Sequence, residues 1–263
     1  MPAWLAVCIL GIIEGLTEFL PISSTGHLLL VENAHWLPQQ SDLFNITIQS
    51  GAAVAVIFAF WTRVRELLLG LGDSDTRSYV FKLVLAFAIT GVGGLILKKL
   101  GFTLPKETAP IAWATLLGGI AILAIEWAMR GHRLRSEVTW TMAVVVGLAQ
   151  LLAAVFPGTS RSAATILIAL ALGLSRPAAT EFSFLVGVPT LLAAGAYETQ
   201  HALRHPGPVA TDDWGMLVLG TLVSAVSAFL VVRWLIRWIQ THNFSPFGWY
   251  RIALGLAMLA RMI

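Results

Sequence analysis

The chain has 263 residues, of which 57% are hydrophobic and only 12% are charged, and its formal net charge at pH 7 is +3. Because soluble domains average about 25% charged residues, this composition excludes an ordinary soluble protein and indicates an integral membrane protein. The small positive charge is scattered over the flanks of apolar segments, which favours contact with anionic membrane lipids and excludes nucleic acid as a partner. The single cysteine, Cys8, excludes an intramolecular disulfide and a cysteine-based metal site.

Ten apolar or semi-polar segments follow one another along the chain without a long polar insertion. They cover residues 3–20, 23–33, 43–62, 83–100, 110–129, 139–156, 160–173, 180–198, 214–232 and 247–263. A helix needs about 20 residues to cross a bilayer, so 23–33 and 160–173 are too short to cross alone. We therefore expect one all-α, polytopic integral membrane domain over residues 1–263.

The end of the first segment carries polar chemistry that lipid-facing sequence lacks. The run from Glu14 to His27 reads Glu-Gly-Leu-Thr-Glu-Phe-Leu-Pro-Ile-Ser-Ser-Thr-Gly-His. Glu14 and Glu18 are four residues apart, so on a helix they share one face and could share a cation. Pro21 ends that helix, and serines are typical of the start of another. The pattern predicts a re-entrant hairpin, in which a helix, a polar turn and a half-length helix enter and leave on one side of the membrane.

The start of the second short helix predicts a phosphate site. Backbone N–H groups and the positive end of the helix dipole favour an anion there. We expect the substrate to contact Ser23, Ser24, Thr25 and Gly26, and His27 lies on the first turn, where it can exchange a proton. Glu14 and Glu18 are the expected ligands of a divalent cation, Mg²⁺ or Ca²⁺, because these ions prefer carboxylate and phosphate oxygens.

The segment over residues 43–61 is polar at its start and apolar at its end. Its Gln49 is expected to face the substrate cavity. A loop that contains Asp73 and Asp75 is expected next, and two ordinary spans follow. The basic residues that flank this loop are Arg63, Arg65, Arg77 and Lys82. Among the ionisable residues beside later spans, Arg176 and Glu181 are expected to pair with each other. Arg251 is expected to have a structural partner that the sequence does not name.

The second half of the chain repeats the first. Aligning Pro157 with Pro21 places Thr159 on Ser23, Ser160 on Ser24, Arg161 on Thr25 and Gln150 on Glu14. Each half then holds one re-entrant helix hairpin and three transmembrane helices. An odd number of crossings requires the halves to have opposite orientations, so the sequence predicts an inverted-topology repeat with a first unit at 1–134 and a second at 135–263.

The second hairpin carries the arginine that the first lacks. In the motif Pro157-Gly158-Thr159-Ser160-Arg161-Ser162, the forked guanidinium can hold two phosphate oxygens at once. The neighbouring hydroxyls of Thr159, Ser160 and Ser162 are further candidates for substrate contact. The competing interpretation of Arg161 is a salt bridge to Glu14 or Glu18, which would also bring the two hairpin tips together.

The distribution of Lys and Arg predicts the orientation of the chain in the membrane. One side would hold Arg63, Arg65, Arg77, Lys82, Arg130, Arg133, Arg135, Arg233 and Arg237, and the other Lys98, Lys99, Lys106 and Arg204. The side richer in basic residues is expected to be cytoplasmic. Both termini and the open end of the first hairpin then lie outside.

Together, the two motifs resemble those of the undecaprenyl-diphosphate phosphatase family, the bacitracin-resistance integral membrane proteins. The similarity continues through Glu181-Phe182-Ser183-Phe184-Leu185 and Pro189, so it covers nearly the whole chain. One departure is Ser162-Ala163-Ala164-Thr165, where the family pattern has a glycine after the serine.

The resemblance implies hydrolysis of undecaprenyl diphosphate to undecaprenyl phosphate and inorganic phosphate at the outer face of the bacterial inner membrane. That reaction recycles the lipid carrier for cell-wall synthesis and confers bacitracin resistance. The catalytic residues would be Glu18, Ser24, His27 and Arg161. Either Ser24 attacks with His27 as its base, or His27 activates water while Ser24 binds phosphate.

The alternative function is a transporter or flippase of a carrier lipid or a small anion, since inverted repeats with broken helices are typical of transporters. The expected partners are a polyprenyl diphosphate lipid and the surrounding membrane lipids. Oligomeric state stays open at this point, with a homodimer as one option.

Overall fold

The computed structural model describes residues 1–101, 108–204 and 214–260, and these residues form eleven α-helices. The helices are α1 (Ala3–Thr17), α2 (Ser24–Asn33), α3 (Asp42–Ala59), α4 (Trp61–Leu69), α5 (Ser74–Lys99), α6 (Thr108–Ala128), α7 (Trp140–Val155), α8 (Arg161–Ala171), α9 (Arg176–Arg204), α10 (Trp214–Trp238) and α11 (Ser245–Ala260). The prediction of an all-α chain is confirmed. Lys106 and the last three residues of the predicted segment 247–263 lie outside the described residues.

Five of the described helices are long and apolar enough to cross a membrane. They are α3, α5, α6, α9 and α10, with lengths from 18 to 29 residues. The chain is therefore a multi-pass membrane protein. The apolar helices α1, α7 and α8 are shorter, with 15, 16 and 11 residues. At both places where a hairpin is predicted, two helices contact each other: α1 contacts α2, and α7 contacts α8.

The predicted loop between the two basic flanks is shorter than expected, because most of the region from Arg63 to Lys82 is helical and Asp75 lies in a helix. This region contains α4 and the first turns of α5, separated by residues 70–73. Asp73 caps the start of α5. Its side-chain carboxylate accepts hydrogen bonds from the backbone N–H groups of Asp75 and Thr76, at 3.1 and 2.8 Å. An N-cap of this kind satisfies donors that the first helical turn leaves free.

Small residues allow α1 to pack directly against α10. A Cβ atom on Gly15 would lie only 2.4 Å from the backbone oxygen of Ser224, and one on Gly11 would lie 2.7 Å from that of Gly220. Two glycines at a spacing of four let membrane helices approach closely. The hydroxyl of Ser224 in turn donates to the backbone oxygen of Ile48 in α3 at 2.8 Å. The helix that carries Glu14 is thus fixed against the long helices.

Two ion pairs join the helices that surround the start of α9, and they differ from the predicted pairing of Arg176 with Glu181. Arg176 instead donates to the carboxylate of Glu126 in α6. Glu181 accepts from Arg63 at 2.8 Å and from the Tyr79 hydroxyl at 3.2 Å. Residues 176 and 181 are five apart on one helix and therefore point to different faces, so each meets a different neighbouring helix.

We expect Glu126→Gln to lower the free energy of unfolding by about 1–3 kcal/mol. Breaking a fully buried ion pair costs roughly 3–5 kcal/mol, but the Arg176 side chain is 23% exposed and can gain some water. Thermal unfolding of the purified protein in detergent measures the change. The matched control is Glu66→Gln, because Glu66 forms an exposed pair with Arg63 and should change stability by less than about 1 kcal/mol. Equal losses of stability in both variants would mean that the pair of Glu126 with Arg176 contributes no more than the exposed pair of Glu66 with Arg63.

Candidate active site

Each of the two short helices begins at a serine with an unusual backbone conformation. Ser23 precedes α2 with φ of 73°, and its hydroxyl oxygen accepts from the backbone N–H of Gly26. Ser160 precedes α8 with φ of 69°, and its hydroxyl oxygen accepts from the backbone N–H of Ala163. A non-glycine residue in this region costs roughly 1–3 kcal/mol, and such residues cluster at functional sites.

The two turns meet each other inside the protein. The Ser162 hydroxyl donates to the backbone oxygen of Leu20 at 2.9 Å. Arg161 Nη2 donates to Glu18 Oε1, also at 2.9 Å, and the Arg161 and Glu18 side chains are only 16% and 7% exposed. The start of α8 therefore lies against the turn that precedes α2, and a buried ion pair joins them.

Glu18 also accepts a hydrogen bond from Ser24. The Ser24 hydroxyl oxygen lies 2.5 Å from Glu18 Oε2, while Glu18 Oε1 binds Arg161. One carboxylate thus connects a hydroxyl at the first turn of α2 to a guanidinium at the first turn of α8. A carboxylate in direct contact with a serine hydroxyl can take its proton, which is the requirement for activating a serine nucleophile.

Arg161 has a hydrogen-bond donor that its bond to Glu18 does not use. Its Nε is buried and has no hydrogen-bond partner within the described residues. The guanidinium lies 5.7 Å from the centre of the Phe19 ring and against the backbone of Gly187, where a Cβ atom would fall 1.8 Å from Nη1. A buried donor without a partner is costly, so this position suits an anion with several acceptor oxygens.

A cavity of about 210 Å³ opens beside these groups. Seven of the candidate site residues line it: Glu18, Ser23, Ser24, Thr25, Gln49, Ser160 and Arg161. The other candidates lie outside its lining: Glu14, Gly26, His27, Thr159 and Ser162. The cavity is smaller than the roughly 300–1,000 Å³ typical of ligand pockets. Its size and its polar lining suit a small anionic group.

Both ring nitrogens of His27 are engaged away from Ser24. Nδ1 lies 2.7 Å from the backbone oxygen of Ser23, and Nε2 lies 2.6 Å from the Tyr250 hydroxyl. A carbonyl oxygen can only accept, so in the neutral ring Nδ1 carries the proton and Nε2 accepts from Tyr250. The structure thus shows His27 holding the carbonyl of the strained Ser23.

Glu14 is the second carboxylate of the site, and it is fully buried, with 0% exposure. It lies close to Glu18, Ser24 and Arg161, yet neither of its oxygens meets a hydrogen-bond partner within the described residues. Burying an unpaired carboxylate costs several kcal/mol at least. The position therefore fits a proton or a hard cation.

A divalent ion at this position would need ligands beyond the two glutamates. Within residues 1–101, 108–204 and 214–260, no group of three or more His, Cys, Asp or Glu side chains is arranged to hold a metal. Mg²⁺ commonly uses one or two carboxylates together with water and substrate phosphate oxygens. Glu14 and Glu18 are compatible with that kind of site and not with an all-protein cage.

Comparison with known proteins identifies the family. Residues 7–257 match the family model described as bacitracin resistance protein BacA. The chain belongs to the BacA family. A protein named undecaprenyl-diphosphatase from Rhizobium johnstonii is 49% identical over 257 residues, which cover 97% of this chain and 96% of the relative. A protein with the same name from Xylella fastidiosa is 50% identical over 251 residues, which cover 95% of each chain. Another from Xanthomonas oryzae pv. oryzae is 48% identical over 256 residues, which cover 97% of this chain and 96% of the relative.

The site also contains residues that were not among the candidates for catalysis, substrate contact or metal binding. Gln150 and Thr90 line the cavity, and Gln150 Nε2 donates to the Thr90 hydroxyl at 2.9 Å. The alignment of the two repeats places Gln150 on Glu14, so the sequence did contain an indication that Gln150 lies at the site. Tyr250 and Arg251 meet the hairpin turns from α11, and no local motif marks either of them.

We expect Arg161→Lys to lower kcat/KM by about 10- to 100-fold, which corresponds to the roughly 1.5–3 kcal/mol of a hydrogen bond to a charged group. A lysine keeps the charge but cannot reproduce a planar fork that binds Glu18 and the substrate together. Steady-state release of phosphate from a prenyl diphosphate measures the loss. Arg237→Lys, at an exposed position near the end of α10, is the control. Wild-type kinetics in Arg161→Lys would mean that only the charge is needed.

Proposed function

We propose that this chain hydrolyses undecaprenyl diphosphate to undecaprenyl phosphate and inorganic phosphate, so that it recycles the lipid carrier of cell-wall synthesis and confers bacitracin resistance. The observation that carries the proposal is the buried contact of Ser24 with Glu18 and of Glu18 with Arg161 beside a small polar cavity. Identity near 50% to proteins named undecaprenyl-diphosphatase over nearly the whole chain supports the same reaction.

In the proposed mechanism Ser24 is the nucleophile and Glu18 is its base. The Ser24 oxygen attacks the terminal phosphorus while its proton passes to Glu18 Oε2. The bond from that phosphorus to the bridging oxygen breaks, and undecaprenyl phosphate leaves with the bonding electron pair. Glu18 can return the proton to the leaving oxygen. Water then attacks the phosphoserine with Glu18 again as base, which releases inorganic phosphate and restores the Ser24 hydroxyl.

The remaining groups hold the phosphates. Arg161 stabilises the charge that spreads over the phosphoryl oxygens in the transition state. The N–H groups at the starts of α2 and α8 add a positive potential. Thr25, Gln49 and Ser160 offer further polar contacts from the cavity wall. Gly26, Thr159 and Ser162 lie outside the cavity lining. Their role in the proposal is to shape the two turns, through the bond of the Gly26 N–H to Ser23, the bond of Ser162 to Leu20 and the Thr159 carbonyl that Arg251 binds.

Glu14 and Glu18 would hold a divalent cation, Mg²⁺ or Ca²⁺. The orphaned carboxylate of Glu14 supports this assignment. When bound, such an ion supplies Lewis-acid charge neutralisation to the diphosphate oxygens. Glu14 would then bind the ion, whereas Glu18 also keeps its contact with Ser24.

The proposed architecture is the inverted-topology repeat, with each hairpin re-entrant. In such a repeat each helix of one half has a counterpart in the other half, and the pairs are α1 with α7, α3 with α9, α5 with α10 and α6 with α11. Replacing each helix by its counterpart converts observed helix contacts into other observed contacts, which supports the repeat. The contact of α1 with α10 becomes that of α7 with α5, and the contact of α3 with α10 becomes that of α9 with α5. The matching conformations of Ser23 and Ser160 add to this support. We also propose that the site faces the periplasm from the inner membrane, with both termini outside, and the distribution of basic residues supports this orientation.

The purified protein in detergent tests the proposed reaction against transport. Release of inorganic phosphate from a prenyl diphosphate, with no membrane and no gradient, requires an enzyme. Failure to release phosphate at any divalent-metal concentration would overturn the proposed hydrolysis and favour a carrier.

We expect Ser24→Ala to abolish turnover, with a loss far beyond the roughly tenfold that deletion of one neutral hydrogen bond produces. A rapid-quench single-turnover reaction should give a phosphorylated peptide that contains Ser24. In water enriched in ¹⁸O, the label should appear in the inorganic phosphate. The competing mechanism, in which His27 activates water, predicts no phosphopeptide, substantial activity in Ser24→Ala and a loss of about 10²–10⁴ in His27→Ala.

We expect Glu14→Gln to raise the metal concentration needed for half-maximal activity by at least the 10- to 100-fold that loss of an outer-shell partner typically causes. The amide removes the ligand charge but keeps the shape, so the protein should stay folded. A titration with Mg²⁺ and Ca²⁺ after chelator treatment measures the shift, and the exposed Glu137→Gln is the control. An unchanged metal requirement would remove Glu14 from the ion site.

A further inference from the structure

Arg251 is a completely buried arginine near the middle of α11, with 0% exposure. All five of its N–H donors have acceptors, and every acceptor is a backbone carbonyl oxygen. The acceptors, with their distances, are Thr115 (3.2 Å), Pro21 (3.3 Å), Thr159 (3.0 Å), Ala114 (3.1 Å) and Gly158 (2.9 Å). A guanidinium has five donors in a fixed plane, so every hydrogen-bond donor of this side chain has an acceptor.

The five carbonyls belong to three separate parts of the fold. Ala114 and Thr115 lie inside α6, Pro21 lies in the turn before α2, and the remaining two lie in the turn before α8. Pro21 is three residues before Ser24. Thr159 is two residues before Arg161. One rigid group therefore fixes both turns, just ahead of the residues that carry the proposed chemistry, against a long transmembrane helix.

We propose that Arg251 is a positioning residue for the hydrolysis: it sets the distance between the Ser24 turn and the Arg161 turn. This inference rests on the proposed function. The turns need such a constraint because Ser23 and Ser160 hold backbone conformations that an isolated chain would leave. Displacements of only ~1 Å in a catalytic arrangement can cost about 100-fold in rate. Loss of the Arg251 guanidinium should therefore lower kcat more than it lowers stability.

Gly118 in α6 offers a way to disturb Arg251 without changing it. A Cβ atom on Gly118 would lie 2.1 Å from Nη2 of Arg251 and 2.6 Å from its central carbon, Cζ. Gly118→Ala must therefore push the guanidinium away from its carbonyls. Gly94→Ala is the matched control, because a Cβ atom there meets no atom within 4 Å among the described residues and Gly94 also lies in a long apolar helix.

The experiment compares kcat and KM of the wild type, Gly118→Ala, Gly94→Ala, Arg251→Lys and Arg251→Met in detergent, with the metal saturating. All rates are taken below the lowest unfolding temperature of the set. We expect kcat of Gly118→Ala to fall at least about tenfold, with Gly94→Ala near the wild type. Arg251→Lys, with three donors in place of five, should fall between the wild type and Arg251→Met.

Hydrogen exchange of peptides that cover residues 18–27 and 156–163 gives a second measurement that does not depend on activity. Faster exchange in both turns of Gly118→Ala, but not of Gly94→Ala, is expected. Unchanged exchange, or a kcat of Gly118→Ala and Arg251→Lys within twofold of the control, would overturn the inference even if Arg251→Met fails to fold. A wild-type protein that releases no phosphate would reject the proposed hydrolysis and with it the positioning role; exchange would then report only whether Arg251 holds the turns.

Discussion

The ion pair between Arg161 and Glu18 joins the two halves of the chain, because it links the start of α8 to the end of α1. An unpaired charge near the centre of a membrane protein costs several kcal/mol, and this pair avoids that cost only while both turns stay together. The surrounding structure keeps them together. Ser162 binds the Leu20 carbonyl, the two strained serine caps fix the starts of α2 and α8, and small residues in α1 allow it to pack directly on α10.

The two glutamates of the first hairpin are one helical turn apart, yet they have opposite environments. Glu18 is satisfied twice, by a hydroxyl and by a guanidinium, whereas Glu14 is enclosed without a hydrogen-bond partner in the described part of the chain. This difference supports a division of roles in which Glu18 moves a proton and Glu14 attracts a cation. In the proposed function, the small cavity beside them holds the diphosphate end of the lipid, and the prenyl chain stays outside that cavity.

Local sequence was sufficient to predict the paired short helices and seven of the sixteen residues that line the cavity, because proline and serine have strong positional effects at helix ends. It could not predict partners that are distant in the chain. His27 and Tyr250 are separated by 223 positions, and Arg251 binds carbonyl oxygens, which every residue has and no motif marks. The pairing of Arg176 with Glu126 was missed for the same reason. The loop expected around Asp73 and Asp75 is shorter than predicted, because the charged residues on either side of it belong to α4 and to the capped start of α5.

The position of His27 shows why contact geometry matters more than sequence spacing in assigning a base. Three residues after Ser24, it was expected to reach that hydroxyl. Its Nδ1 proton is instead committed to the Ser23 carbonyl, and its remaining lone pair accepts from Tyr250. To take a proton from water or from Ser24, His27 would have to give up the Tyr250 bond. Glu18 already holds the Ser24 proton in a direct hydrogen bond. In the proposed mechanism the carboxylate receives that proton, and the histidine supports the strained turn on which the serine sits.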